Sequence, residues 1–180
     1  DLSAFYFDIR KDTLYCDPKE SKKRKKSITV LNIILESLLK WFAPILSFTT
    51  EEIFTLINKD KKSIHLEEFI KFPKSFEDIE LNKKWVELKK IRDICNISIE
   101  EKRASKEIGS SLEANLTINI NNEQSNFIEN IDLAELCITS EVNIIITNDK
   151  EIKVKTKKAE GEKCPICWKI SKEGCQRHTN

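Results

Sequence analysis

The chain has 180 residues, 39% of them hydrophobic and 34% charged, and a formal net charge of +1. This composition fits one good-sized or two small globular domains and excludes collagen-like and intrinsically disordered chains. No apolar run reaches the ~18 residues that cross a bilayer, and no basic-then-apolar leader opens the chain, so a cytoplasmic protein without a membrane segment is expected.

The opening stretch, "DLSAFYFDIR", has no initiating Met and already reads as structure, so a segment of a longer polypeptide is expected. Asp17-Pro18-Lys19-Glu20 then reads as a helix start: Asp17 as cap, Pro18 at the first helical position, Glu20 completing a capping box. Apolar residues recur at Ile28, Leu31, Ile34, Leu35, Leu38 and Phe42, and Pro44 stops the run. The spacing predicts a helix of roughly 26 residues, about 40 Å long at ~1.5 Å per residue. Its first turns carry Lys22, Lys23, Arg24, Lys25 and Lys26, cations at the positive end of a helix dipole. That placement is locally unfavourable and makes sense where an anion such as phosphate approaches.

"TTEEIFTLI" predicts a second helix, capped by Thr49 with Glu52 closing the box. A third is predicted from Asn82 to Lys102, with Trp85, Leu88, Ile91, Ile94, Cys95 and Ile99 along one face. Trp41 and Trp85 are expected in the core, and His65 as a plain loop residue. After Gly109 the period shortens: Leu112, Ala114, Leu116, Ile118 and Ile120 alternate with polar residues, as in a half-buried strand. Two short helices, Glu123–Asn130 and Leu133–Cys137, precede two more strands, "VNIIIT" and "EIKVKT", joined across Asn148-Asp149 as a tight turn. The expected fold is mainly α with a small α+β part and a cysteine-rich tail.

Charge is patterned along this order. Residues 121–149 hold six acidic residues and no basic one, whereas residues 150–180 hold nine basic and four acidic. A basic helix start and a basic tail on either side of an acidic stretch suit a polyanion held at defined places, although a solvated surface has the same composition. No glycine-rich phosphate loop, serine elbow or histidine-paired nucleophile occurs, and three glycines in all argue against a phosphate cradle. The chain is expected to bind, not to react.

Cys16, Cys95 and Cys137 are scattered singly and are expected as small hydrophobes. Cys164-Pro-Ile-Cys167 and Cys175-Gln-Arg-His178 stand apart, each pair separated by two residues. That spacing lets four donors reach one tetrahedral zinc ion, whose binding energy would fold so short a tail. A redox Cys-x-x-Cys is the competing reading, but it lacks the strand–helix context. Trp168 follows the pair and has two readings, a base-stacking platform or the apolar support of the knuckle.

Four ordered stretches, "DLSAFYFDIRKDTLYCD", "LLKWFAPILSFTTEEIF", "KKIRDICNISIEEKRASKEIGSSLEA" and "KCPICWK", resemble the C-terminal third of bacterial isoleucyl-tRNA synthetases, class I aminoacyl-tRNA synthetases. The resemblance implies a helical-bundle anticodon-binding domain over residues 1–104, a small α+β junction domain over 105–158 and a zinc-binding tail over 159–180. It implies tRNA-Ile as partner, through its anticodon stem-loop, for which the residues themselves offer Lys22 to Lys26, Trp168 and Arg177 as RNA contacts. It also implies one structural zinc, for which the spacing offers Cys164, Cys167, Cys175 and His178, and a monomer joined to upstream catalytic and editing domains. ATP belongs to that absent catalytic domain: the His-Ile-Gly-His motif is missing, and Lys-Met-Ser-Lys-Ser cannot occur without Met. The related valyl enzymes usually end in a coiled coil, so the cysteine tail favours isoleucine. The family's second ligand pair is generally two cysteines farther downstream. Either the tail is a compact Cys3His variant, or residues beyond Asn180 complete the site. The competing classes are a free-standing zinc-knuckle nucleic-acid-binding regulator, which would bind without tRNA selectivity, and a helical interaction module, which would bind no RNA.

Overall fold

The computed structural model describes residues 2–60 and 62–178. A π-helical turn, Leu2–Phe7, leads into α1 (Asp8–Cys16), followed by α2 (Lys22–Phe42) and α3 (Ser47–Ile57). After two short 3-10 turns comes the longest helix, α4 (Ile79–Ala104). The rest alternates strands with short helices: β1 (Ala114–Ile120), α5 (Asn122–Ile128), α6 (Leu133–Leu136), β2 (Glu141–Ile146) and β3 (Lys153–Lys158). A minimal hairpin of β4 (Glu162–Lys163) and β5 (Ile170–Ser171) begins the tail. The protein is mostly helical with a small mixed sheet. Among the described residues no helix is long and apolar enough to cross a membrane.

The chain forms two compact units. One is interrupted, comprising Asp1–Asp12 with Asp78–Asn180; the other is the intervening Thr13–Glu77. In the interrupted unit α4 shares a core with the sheet. Leu88, Ile91, Cys95 and Ile99 line its buried face and pack with Leu116, Ile118 and Ile120 of β1 and with Ile9 of α1. Asp78 caps α4, its carboxylate accepting the Leu81 N–H at 2.8 Å. Trp85 lies half-buried at the edge of this core, edge-on to Phe5 with centroids 6.0 Å apart, as expected of a core-facing ring. Polar ties fix the same packing. The Arg92 Nε donates to the Leu136 carbonyl at 2.9 Å, and Arg10 pairs with Glu135 at 2.9 Å.

In the sheet, β1 is central, parallel to β2 and antiparallel to β3. The expected β2–β3 hairpin is therefore corrected. The connection from residue 147 to 152 must step over β1, about two strand spacings, or roughly 9.5 Å, which a two-residue turn cannot reach. The β1–β2 link, through α5 and α6, is the long crossover that parallel strands need.

The Thr13–Glu77 unit has a smaller core of Leu39, Ala43, Phe54 and Ile64. Here the expected helix start moves. Pro18 opens a turn, with the Ser21 N–H donating to its carbonyl at 3.0 Å, and Ser21 caps α2 instead of Asp17. The helix is thus 21 residues long. Its expected apolar face is only half-covered: Ile28, Leu35 and Phe42 are exposed, and Trp41, expected in the core, is 54% exposed. In α3, Leu46 replaces Thr49 at the cap. No side chain caps the helix, and Glu51 in its second turn accepts from the Ser63 hydroxyl and the Ile64 N–H, each at 2.9 Å. His65 is an exposed turn residue, as expected.

Candidate metal centre and nucleic-acid interface

The tail is built by close backbone approach. Gly161 has φ +123, and a β-carbon there would sit 2.3 Å from the Ser171 backbone. Only glycine allows β4 to lie this near β5. The Ser140 hydroxyl fastens the hairpin to the sheet, accepting the Ile170 N–H at 2.6 Å while donating to the Leu112 carbonyl. Between the two short strands the chain folds tightly. The Cys164 N–H reaches the Lys169 carbonyl at 2.9 Å and the Trp168 N–H reaches the Cys164 carbonyl at 3.0 Å. Trp168 adopts φ +64 to close the turn, an uncommon conformation for a bulky residue.

This turn gathers Cys164, Cys167, Cys175 and His178, whose ligand atoms all lie within 4.8 Å of one another. The Cys167 and Cys175 sulfurs are 3.8 Å apart, and His178 Nδ1 lies 3.4 Å from Cys164 Sγ and 3.2 Å from Cys175 Sγ. A tetrahedral ion with Zn–S bonds of about 2.3 Å sets its sulfurs about 3.8 Å apart. The donor set therefore fits one ion and can hold a metal with residues inside the chain. Cys164 is prepared for it: the Cys167 backbone N–H, then that of Ile166 and the His178 ring, lower its thiol to about 6. Burial, as the largest cause, pushes the Cys167 thiol up to about 11. In contrast, Cys95 and Cys137 are buried in the main core, as expected of small hydrophobes. The adjoining Cys137 thiol and then burial push the Cys95 thiol above its ordinary value.

The expected RNA contacts separate into groups. Lys22 and Lys26 are exposed, and no described residue pairs with them. Lys23 is also exposed, and its backbone carbonyl accepts the Ser27 hydroxyl at 3.0 Å. Lys25 binds Glu20 at 2.5 Å, and Arg24 donates to the Asp17 carbonyl at 2.9 Å. Trp168 stands 60% exposed, so its ring is not the apolar centre of the knuckle; the Lys163 Nζ lies 5.7 Å from it. Arg177 is committed elsewhere, with both terminal nitrogens 2.8 Å from the Asp12 carboxylate, fixing the tail to α1. Three residues that shape this region, Asp12, Ser140 and Gly161, are not singled out by sequence pattern. The glycine of "AEGEK" is a signal for one of them; a lone serine and a helical aspartate carry none.

The family model "Anticodon-binding domain of tRNA ligase" matches residues 1–118. The chain belongs to the family of tRNA-ligase anticodon-binding domains. It is similar to the isoleucine--tRNA ligase of Pelagibacter ubique, at 69% identity over 180 residues, which is all of this chain and 20% of that protein. It is also similar to the isoleucine--tRNA ligases of Rhodopseudomonas palustris, at 41% over 185 residues (94% of this chain, 18% of that protein), and Bartonella henselae, at 40% over 184 residues (96% and 19%). The chain spans about a fifth of the length of these curated relatives. The anticodon-binding match includes all of α4 and most of β1.

Proposed function

We propose that this chain is the tRNA-binding C-terminal segment of a cytoplasmic isoleucine--tRNA ligase, which charges tRNA-Ile using ATP in a catalytic domain carried upstream. The observation that supports this reading is similarity to isoleucine--tRNA ligases along the whole chain. On this reading residues 1–104 supply the anticodon-binding helices, 105–158 the junction and 159–180 the zinc tail, in a monomeric parent. Zinc, held by Cys164, Cys167, Cys175 and His178, supplies structure alone: it fixes the fold of the tail and so the position of Trp168. The cations of α2 take backbone phosphates, which position an RNA without reading it, and Trp168 offers a face to an unstacked base. Arg177 serves by clamping the tail to α1.

The experiment is a tRNA titration at several salt concentrations. Neutralising Lys22, Lys23 and Lys26 together is expected to weaken all tRNAs alike and to flatten the salt dependence, by roughly 0.7–0.9 in slope for each phosphate no longer neutralised. Changing Trp168 to Ala is expected to cost about 1–3 kcal/mol and to reduce discrimination between tRNA-Ile and other tRNAs, with metal content unchanged. Retention of wild-type affinity and slope by the triple variant would remove α2 from the interface. Equal affinity of the unaltered chain for every tRNA would favour the free-standing regulator, and no binding at all the interaction module.

A further inference from the structure

One face of the three-stranded sheet is covered by α4, and the other is open. Along β1 the buried residues Ala114, Leu116, Ile118 and Ile120 alternate with Asn115, Thr117 and Asn119, which are half-exposed. The register sets Lys157, Lys155 and Lys153 of β3 beside these three polar residues in turn. All three lysines are exposed, while Val154 and Thr156 between them turn inward. The Thr156 hydroxyl lies 2.7 Å from that of Ser98 on α4, which fixes which face the lysines take. Lys153 is tied to Asp149 at 2.7 Å. Lys155 has no carboxylate partner among the described residues. Lys157 lies in the field of Glu160 without a hydrogen bond to it. Alternate strand residues are about 6.6 Å apart, comparable with the step between successive phosphates of an RNA strand. The β2 margin is different. Glu141 there is engaged by the Asn115 amide at 2.6 Å, and its carboxylate repels an anion from that side. Beside Lys157 the face deepens into a polar cavity of about 540 Å3 whose walls set Glu141, Glu160 and Glu173 against Lys157, Lys158 and Lys172, so the anion-favouring part of the face is the β3 row itself.

We propose that the open face of this sheet is a further RNA-contacting surface, with Lys155 and Lys157 on two neighbouring phosphates of one tRNA strand running along β3. Thr117 and Asn119, whose side chains have no partner among the described residues, face the sugars of that strand. The proposal rests on the tRNA-binding reading above and adds a site separate from α2 and Trp168. Lysines on an edge strand also prevent strand-to-strand association. That role needs charge of either sign, whereas a phosphate contact needs positive charge, so the two are separable.

The test uses the full 180-residue chain, purified without chelator, with a tRNA-Ile transcript titrated between about 50 and 200 mM salt. Two double variants are compared with the unaltered chain, K155Q/K157Q and K155E/K157E. Circular dichroism, zinc content and light scattering report on fold, metal and self-association. The neutral pair is expected to lower the salt slope by roughly 1.4–1.8, the effect of two phosphates, and to weaken all tRNAs alike. The reversed pair is expected to weaken binding further while staying folded and monomeric. Wild-type affinity and slope in both variants would overturn the proposal and leave the tRNA-binding reading intact. Self-association of the neutral pair with unchanged RNA affinity would assign the lysines to edge protection alone. Absence of tRNA binding by the unaltered chain would overturn the reading and this site together.

Discussion

A β-carbon at Gly161 would meet the Ser171 backbone at 2.3 Å, and φ +123 is closed to other residues. Gly161→Ala is therefore expected to cost about 1–3 kcal/mol of strain, relieved by separating β4 from β5. The measurements are a thermal melt and a zinc competition titration; an unchanged metal affinity would show that the hairpin does not set the ligand geometry. Arg177→Ala is expected to speed amide exchange in residues 170–178 without changing the salt slope of RNA binding. A reduced slope would return Arg177 to the RNA interface. Lys40 is a different case: almost fully buried, it binds Glu36 at 2.8 Å and Glu67 at 3.6 Å. Its bond to Glu36, against the opposing effect of burial, holds its ammonium above the ordinary lysine range. A raised lysine stabilises fully below its ordinary value of about 10.4 and loses that contribution as pH climbs through the raised value. Lys40→Met should therefore cost about 1–2 kcal/mol, constant from pH 6 to 9 and shrinking only in strong alkali. Denaturant melts at three pH values check this, and a cost that varies across neutrality would contradict it.

The elements differ in how plainly the sequence announces them. In α4, Leu88, Ile91, Cys95 and Ile99 recur at helical spacing and all four are buried against β1, so periodicity locates both the helix and its inner face. Ile99→Ala is expected to cost about 2–5 kcal/mol, detected as a lower denaturant midpoint. A cost below about 1 kcal/mol would mean that the α4–sheet core is loosely packed. In α2 the same kind of pattern misleads. Ile28, Leu31, Leu35, Leu38 and Phe42 repeat as a seam, yet Ile28, Leu35 and Phe42 remain exposed; periodicity marks an apolar stripe without saying what covers it. The hairpin expected across Asn148-Asp149 fails for a topological reason: turn residues specify a local bend, while pairing depends on β1, which sits between the two strands. The metal tail is the most legible part, because ligand spacing is itself local. If the tail holds zinc as proposed, either Cys164→Ser or Cys167→Ser is expected to lower the zinc content of the purified chain and to raise amide exchange from residue 161 onward. The β1–β2–β3 sheet should remain protected. Zinc content unchanged by both substitutions would place the ion elsewhere.

For the whole chain, the sequence carries neither of the two ATP-handling motifs of the family it resembles. Isoleucine-dependent pyrophosphate exchange is therefore expected at background level; turnover by the isolated chain would contradict its reading as a binding segment. The interrupted unit also bears on how the chain comes to be folded. Its first strip, Asp1–Asp12, is made before Thr13–Glu77, but its core partners on α4 and β1 come only afterwards. During synthesis Ile9 must therefore wait, its apolar surface exposed, while α2 and α3 form from neighbouring sequence. Contacts between near neighbours form sooner than those that must close a long loop. Pulse-labelled exchange during refolding is thus expected to protect residues 47–57 before residues 8–12. If the intervening segment is made unstable, the delay should lengthen at the distant α1–α4 contacts, because a disordered tether would then separate the two halves of one core.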